Sequence, residues 1–476
     1  MIFRRTARAS QQANLLLLTL TLSGILGVTL VSYLIMAQAQ NISIFRSQNW
    51  NSTMVVTEAG IEDALQLINK NAGSFDDLWK WTNNVSADGW DGPNNNVYHV
   101  KRSLPYQITS GAWLTNSYEV WITNTNNEPS IAAVGSVPWT YQYAAAPQAM
   151  FAQIGSPAPA TTMARKIFTR THFDPLFVVA MAALGNIDLH GNNIATDSFD
   201  SYSTNYSNNG LYPAGNFAKI KDNGDVCTDS ALINSLNFGN ADIMGHVRTG
   251  PGLNTINGGP NGSVGDKYWV HDGHNGIQPG HSSTDFNVIF PDVVLPSVLW
   301  LPALPSYKTI DGTNYTYTFL TSGNYSIPNL SGSIYVGTNV NLKLRLTGSV
   351  NLAGQSVIRI CAQNATLRMF MDGPSFSLSG NAYIDNQSGH ADRCYLFGTP
   401  NCTSISFAGN GAFYGGVYAP NADFTLNGGG SDTWDFIGAS VTKTVMMNGH
   451  YNFHFDENLS RIGPGRGYIV NSWEEK

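Results

Sequence analysis

The sequence predicts a mainly β protein carried on one N-terminal helix. Three observations predict it: a long uncharged run near the N-terminus, a six-residue apolar–x–apolar–x–Gly pattern that returns six times, and a composition poor in charge and rich in glycine. Of 476 residues only 12% are charged and 47 are glycine, against a usual charged share of about 25%. With 42% hydrophobic residues the chain can bury a large core, which excludes a disordered protein. The net charge of −7 offers no basic stripe for phosphates, so no nucleic-acid partner is expected.

Residues 1–14, with Arg4, Arg5 and Arg8, form a basic segment. "LLLLTLTLSGILGVTLVSYLIMA", Leu15 to Ala37, follows without a charge. Its 23 residues are enough for a helix to cross a hydrocarbon core of about 30 Å. Arginines before the span, and none after it until Arg46, place the N-terminus in the cytoplasm and the bulk of the chain outside the inner membrane. Residues 42–72 continue the span as an amphipathic helix. Trp50, Met54, Glu58, Ile61, Leu65 and Ile68 recur in steps of four and three, and Asn71 and Gly73 close the helix. Glu58, Ile61, Leu65 and Ile68 are the helix-packing candidates. Glu58 reads either as an acid at the stripe's edge or as a buried partner for another subunit, since a carboxylate inside an apolar stripe is costly unless paired.

Residues 75–145 alternate apolar and polar side chains between Gly/Asn turns, which predicts a small antiparallel β domain. Residues 146–185 read as a Pro/Ala-rich linker and a buried segment. From 186 to 462 the repeated pattern takes over: "IDLHGN" at 187, "LRLTGS" at 344, "FSLSGN" at 376, "ISFAGN" at 405, "FTLNGG" at 424 and "VMMNGH" at 445. In a strand the first and third residues of each copy point the same way, and the glycine permits a corner. The last three copies begin 19 (424 − 405) and 21 (445 − 424) residues apart. Coils of that length cannot bury their own apolar faces and must stack. The expectation is a right-handed parallel β-helix, a β-solenoid, with a Gly/Asn-rich insertion at 211–300 and a tail at 463–476. An antiparallel β-sandwich is the rival architecture, since Gly-punctuated alternation fits it too. "PDVVLPSVLWLPALP", Pro-broken and apolar, is expected to seal one end or side of the stack.

Few residues suggest chemistry. Cys394 and Cys402 frame a short loop and are well placed for a disulfide. His271, Asp272, His274 and His281 carry metal-ligating atoms, but on a glycine-rich loop with no rigid element to fix them, so no metal site is expected. Asp372, Asp385, Asp392, Asp423, Asp432, Asp435, Asp456 and Glu457 are the acids that a polysaccharide-cleaving β-helix would have to cluster. Asp432 and Asp435 flank Trp434 in a glycine-led turn with no basic partner nearby. No nucleophile elbow, phosphate loop or dinucleotide fingerprint occurs. The chain therefore reads as a non-enzyme with no catalytic residue and no cofactor.

The basic N-terminus, the apolar span and "TEAGIEDALQLI" together resemble the N-terminal region of PilX-type type IV pilus assembly proteins, with Thr57 in place of the first residue of an Ala-Glu-Ala-Gly-Ile-like motif. "GNIDLHGNNIATDSFDS", "FYGGVYAPNADFTLNGGG" and "FHFDENL…YIVNSWEE" are similar to the uncharacterised β-rich domain often attached to that region. The resemblance implies a pilin-like structural or assembly component of a bacterial pilus or cell envelope, anchored by a single pass in the inner membrane. Its implied partners are pilus or secretion-type assembly subunits, with a polysaccharide or surface as a further contact. A membrane-tethered β-helix that binds or cleaves polysaccharide is the alternative. The family's processed members carry a glutamate at the head of the apolar run; "RASQQANLLLLTL" has no acid, so peptidase processing does not follow from the resemblance.

Overall fold

The computed structural model describes residues 6–70, 88–107, 111, 113–125, 128–139, 162–191, 193–409, 412–429 and 436–476. The chain is mainly β, with one long apolar helix at its N-terminus, and it divides into two compact units. The first comprises 1–67, 82–172 and 469–476, the second 68–81 and 173–468. Asn71 and Gly73, Asp432, Trp434 and Asp435, and the linker up to 161 lie outside the described residues.

In the first unit, helix α1 (Thr6–Asn69) runs without a break through both the apolar and the amphipathic segments. No proline interrupts it, and its polar side chains are tied down locally. The Thr19, Thr21, Ser23 and Thr29 hydroxyls donate to carbonyls three or four residues earlier at 2.9–3.0 Å, which satisfies these donors within the helix. Strands β1 (Asp91–Asn94), β2 (Val97–Gln107), β3 (Trp113–Thr125), β4 (Glu128–Pro138) and β5 (Thr162–Pro175) form an antiparallel meander in that order. Along β4 burial alternates strictly, with Pro129, Ile131, Ala133, Gly135 and Val137 inward.

The sheet is larger than the 75–145 expected from the sequence. It takes in β5, and its last member is the strand Gly465–Glu475, beside β5. The expected tail at 463–476 is thus an edge strand. Arg165 clamps Glu475 through two bonds of 2.5 and 2.6 Å, and the Lys476 amide donates to Lys166 O at 3.0 Å. These pairings join residues some 300 positions apart, which a local pattern cannot reveal.

In the second unit the registered ladders run parallel, apart from one hairpin, Lys308–Ile310 with Thr313–Tyr315. This rules against the antiparallel sandwich. The strands align in three columns. The first contains Val350, Phe376, Ile405, Phe424, Val445, Ile187, Leu236 and Ile256, so five of the six copies of the glycine pattern occupy equivalent rungs. The second contains Leu301, Tyr325, Leu344, Met369, Leu396, Val417, Ser440, Met181, Val226, Val247 and Ser282. In the third, Tyr317, Ile334, Ile358 and Ile384 are in register. That column resumes with Phe413, Phe436, Phe453, Thr196, Ile243, Val264 and Ile277. The first and third residues of the pattern are buried in all five aligned copies, and rings of successive rungs stack, as Phe436 on Phe453 at 4.2 Å.

The order of rungs is not the order of the chain. The last rungs to be made, at 440–453, stack on the first, at 181–196. Residues 211–300 are accordingly not an insertion. Their two- and three-residue strands, among them Val226–Thr228, Val247–Arg248 and Ser263–Gly265, are rungs of the same columns, too short to stand out in a glycine-rich background. The chain then has to travel from Ser283 back to Leu301 at the far end of its column. Ten steps of roughly 4.8 Å make about 48 Å, and 18 residues (301 − 283) reach at most about 60 Å when extended. The Pro-broken segment covers this distance alongside the stack. The Val288 amide donates to Asp229 Oδ1 at 3.0 Å, Tyr418 OH donates to Pro291 O at 2.8 Å, Asn421 donates to Asp292 at 2.6 Å, and Trp300 meets Phe370 with ring centroids 5.9 Å apart.

Close stacking at the third column depends on Gly438, whose φ is +140° and where an added Cβ would lie 1.8 Å from Gly415 O. Gly438→Ala is expected to cost at least about 3 kcal/mol, combining backbone strain with overpacking. Urea unfolding of the purified chain checks this; an unchanged midpoint would show that the rungs can separate at this point.

Candidate functional sites: the anchor helix and the outer faces of the ladders

Helix α1 presents two different surfaces along its length. Leu15 to Met36 is exposed throughout, with Leu16 at 72% and Leu20 at 69%. By length and composition it is the one helix among the described residues able to cross a membrane. Beyond it, Asn49, Thr53, Val56, Thr57, Gly60, Ile61, Ala64, Leu67 and Ile68 are buried. Of the packing candidates, Ile61 and Ile68 are buried, Leu65 is half-buried and Glu58 is exposed. The contact stripe is therefore turned toward the small residues Thr53, Thr57, Gly60 and Ala64, away from the Trp50–Glu58–Leu65 line.

Small residues let the helix backbone come close to the sheet. A Cβ on Gly135 would sit 2.4 Å from Thr57 Oγ1 and 2.8 Å from Thr53 O, and one on Gly60 would sit 2.9 Å from Val120. At this contact Thr57 acts as a polar peg. Its hydroxyl donates to Thr53 O at 2.6 Å and accepts from the Gly135 amide at 3.2 Å. Asp63 is the second anchor. It accepts from Arg102 Nε at 2.6 Å and Tyr118 OH at 3.0 Å, while Arg102 also donates to Asp88 O at 2.8 Å. Burial and the adjacent Asp63 carboxylate push the Tyr118 phenol up to about 12. Trp50 packs under the Arg165 guanidinium at 4.7 Å. Apolar periodicity alone does not reveal the contacts of Thr57 and Asp63; the small-residue steps at 53, 57, 60 and 64 are the available signal.

In the second unit three acids on the outward faces, Asp372, Asp385 and Asp423, lie beside a cation on a neighbouring rung. Asp372 holds Arg345 through its Nε at 3.0 Å, and Asp385 holds Arg359 at 2.8 Å. Asp392 lies 3.7 Å from Arg393. Asp423 is exposed and accepts from Thr444 at 2.8 Å, with Lys443 3.6 Å away.

The Asp456–Glu457 pair is buried, not a polar stop exposed at the end of the pattern. Residues 200–223 supply many of its partners. Asp456 Oδ1 accepts from the Ser201 and Asn458 amides at 3.1 and 3.2 Å, and Oδ2 from the Ala391 amide at 3.4 Å. Glu457 takes Lys221, the Ser198 hydroxyl at 2.9 Å and Asn223 at 2.6 Å. One rung across, His454 Nδ1 meets Asp197 at 2.7 Å, Tyr212 OH donates to the same carboxylate at 2.6 Å, and the Tyr212 and His454 rings stack at 3.6 Å. Burial pushes the Asp456 carboxyl up to about 6, although three backbone donors oppose the rise.

The three histidines singled out in the sequence do not converge. His271 packs on Phe217 at 4.5 Å, His274 on Trp269 at 4.2 Å and His281 on His246 at 4.5 Å. Asp272 is exposed and caps the short helix Lys267–His271. Among the described residues no group of three or more His, Cys, Asp or Glu is placed to hold a metal ion. Cys394 and Cys402 are free thiols, as are Cys227 and Cys361, and all four are buried. Cys394 opens the strand Cys394–Gly398 while Cys402 directs its Sγ toward Ser404 O. Each thiol packs into the core, and burial pushes the Cys394 and Cys402 thiols up.

Comparison with known proteins adds one family match. Residues 308–462 match a domain of unknown function, DUF7305. No curated protein matches the chain. Among solved structures, the competence-associated pilin ComZ from Thermus thermophilus aligns over 89% of this chain and 96% of its own, at 11% identity and a TM-score of 0.23. A score that low does not establish a common fold.

Two outcomes are expected. Thr57→Val keeps the shape but leaves the Gly135 amide without its acceptor, a loss of about 1–3 kcal/mol, whereas Thr57→Ser retains the bond; equal denaturation midpoints for the two variants would rule out the peg. Asp456 has a folded-state pKa of about 6 against an ordinary 3.8, so its contribution to stability is full below about 4 and lost as pH rises through about 6. Acidification from pH 7.5 to 4.5 should therefore stabilise the wild type relative to Asp456→Asn by about 2 kcal/mol. A pH-independent difference in urea midpoints would show that the carboxyl titrates normally.

Proposed function

We propose that the chain is a membrane-anchored, pilin-like structural or assembly component of a type IV pilus-like or cell-envelope system. In this reading the second unit is a parallel β-helix displayed outside the inner membrane, and the protein is not an enzyme. The observation that carries the proposal is the division of labour along α1. One uninterrupted helix exposes the uncharged, mostly apolar run Leu15–Met36 and then lays a small-residue stripe on an antiparallel sheet. A helix half free and half packed suits an element that sits in lipid, or against its own copies, while carrying a folded sheet on its other half. The motif "TEAGIEDAL" lies on the packed half, and its Glu58 stays exposed beside the packed face, where it could also meet another subunit.

The three columns support the β-helix reading, since three parallel strands per turn give a closed stack in which each rung buries its neighbour's apolar face. The pairing of outward acids with cations one rung away supports a scaffold role over carbohydrate chemistry.

Fractionation with N-terminal sequencing tests the proposal. The protein is expected in the inner-membrane fraction, released by detergent but not by alkaline carbonate, with the Leu15–Ala37 segment retained. Recovery as a soluble form beginning after Ala37, or a deletion strain with unaltered surface pili and envelope, would overturn it.

A further inference from the structure

The outer face of the first column differs from those of the other two. Along the third column the outward positions carry Tyr335, Arg359 and Asp385 in register. Along the second they carry Lys343 and Arg345, with Arg368 opposite Lys343. These side chains are long, charged or both. The first column carries short polar ones instead. Ser375, Ser404, Asp423 and Thr444 form one row in register. Asn351, Ser377, Ser406 and Thr425 form a second row, two residues further along each strand. Between the rows lie Phe376, Ile405, Phe424 and Val445, all buried, so both rows point away from the core. Met446 interrupts the second row, which continues with Asp188 and Asn237.

The hydroxyls at the centre of this array are unspent. At its margins, side chains pair along the ladder: Ser375 donates to Ser349 at 3.0 Å and Thr444 to Asp423 at 2.8 Å. Ser377, Ser404, Ser406 and Thr425 have no side-chain hydrogen-bond partner among the described residues. Each of these hydroxyls offers one donor and two acceptor sites. Asn427 Oδ1, at the next outward position beyond Thr425, is buried and also unpaired. A buried polar atom without a partner in the protein calls for one outside it.

We propose that this face binds a lattice of ordered water, the surface of an ice crystal. Along the stack the hydroxyls repeat at about 4.8 Å, and the two rows lie about 6.6 Å apart. Water oxygens in hexagonal ice repeat along the a axis within roughly 0.3 Å of the rung spacing. Over the three steps from Asn351 to Thr425 the mismatch grows to only about 1 Å, which rotation of short side chains absorbs. Across the rows a single interval has to match. Every parallel sheet shares the rung spacing; what sets this face apart is its side chains. A rigid lattice comes only as near as the longest side chain permits, and Ser, Thr and Asn keep that distance short and even. Each bond to water adds little net free energy, so adsorption needs many in register, which the ladder supplies. Two further observations select this partner. Neither row carries an aromatic ring on which a sugar would stack, and the Asp423 carboxylate has Lys443 3.6 Å away, so the face does not attract a strongly charged polymer.

Slow growth of ice from a solution of the full-length chain in detergent tests the proposal. The wild type is expected to enter the ice while the detergent and serum albumin are excluded, and to inhibit recrystallisation of fine-grained ice. Ser406→Tyr and Thr425→Tyr, which raise a ring out of the face, should lose both effects. Asn324→Tyr, on the outer side of the second column opposite Lys343, should keep both. Urea midpoints of the three variants separate loss of the face from loss of the fold, and the wild-type result depends on no variant. Exclusion of the wild type from ice, or incorporation that survives both tyrosines on the first column, would overturn the proposal. Retention on cellulose or chitin without any effect on ice would also overturn it, in favour of a glycan partner.

Discussion

Register between successive rungs is the constraint on which the second unit depends. Each rung donates its backbone to the next and buries one apolar face against it, so a side chain is placed less by its own segment than by what lies one coil away. A shift by one residue would exchange the inward and outward sets along a whole rung. Glycine at the corners and phenylalanine at the third column both follow from this. The first lets chains approach within hydrogen-bonding distance; the second fills the interior with rings that stack at the rung spacing. Outward side chains inherit the same spacing, which is why Arg359 finds Asp385, His454 finds Asp197 and His246 finds His281.

The first unit obeys a different rule. A helix can lie on a sheet only as closely as the side chains between them allow, and here the closest points are Gly60 and Gly135. Close approach brings backbone amides within reach of a helix side chain, so Thr57 can satisfy Gly135 directly. Burying a hydroxyl is favourable only with such a partner, and the Gly135 amide supplies it for Thr57. Asp63 fixes rotation about the helix axis by engaging two strands at once.

Several features were legible in the sequence because they are local. The apolar span, the glycine pattern and its spacing of 19 and 21 residues appear in the structure as the exposed half of α1 and as the pairs Ile405–Phe424 and Phe424–Val445. Other features were not, because they are set by contacts distant in the chain. "IDLHGN" reads as an early coil, yet Ile187 sits directly on Val445. The C-terminal strand finds β5 only after the whole second unit has been made. The histidines of 271–281 are neighbours in sequence, but the ladder separates them and brings His281 to a residue 35 positions earlier (281 − 246).

The disordered order of rungs has a consequence for the ends of the stack. Every parallel stack exposes unpaired backbone at its first and last rung, and such edges recruit further strands. Here the strand Leu301–Pro302 begins one end, with Pro302 and Pro305 unable to donate and the hairpin at Lys308–Tyr315 beside it. At the other end, Ser282 and Ser283 form a two-residue rung near the short helix Lys267–His271. The segment that joins these ends also lies along the stack, held at Asp229, Tyr418 and Asn421. Because one extended segment links the two terminal rungs, the stack cannot lengthen at one end by slippage without drawing that segment out of contact at the other. The connection that the chain order makes necessary thus also limits the number of rungs.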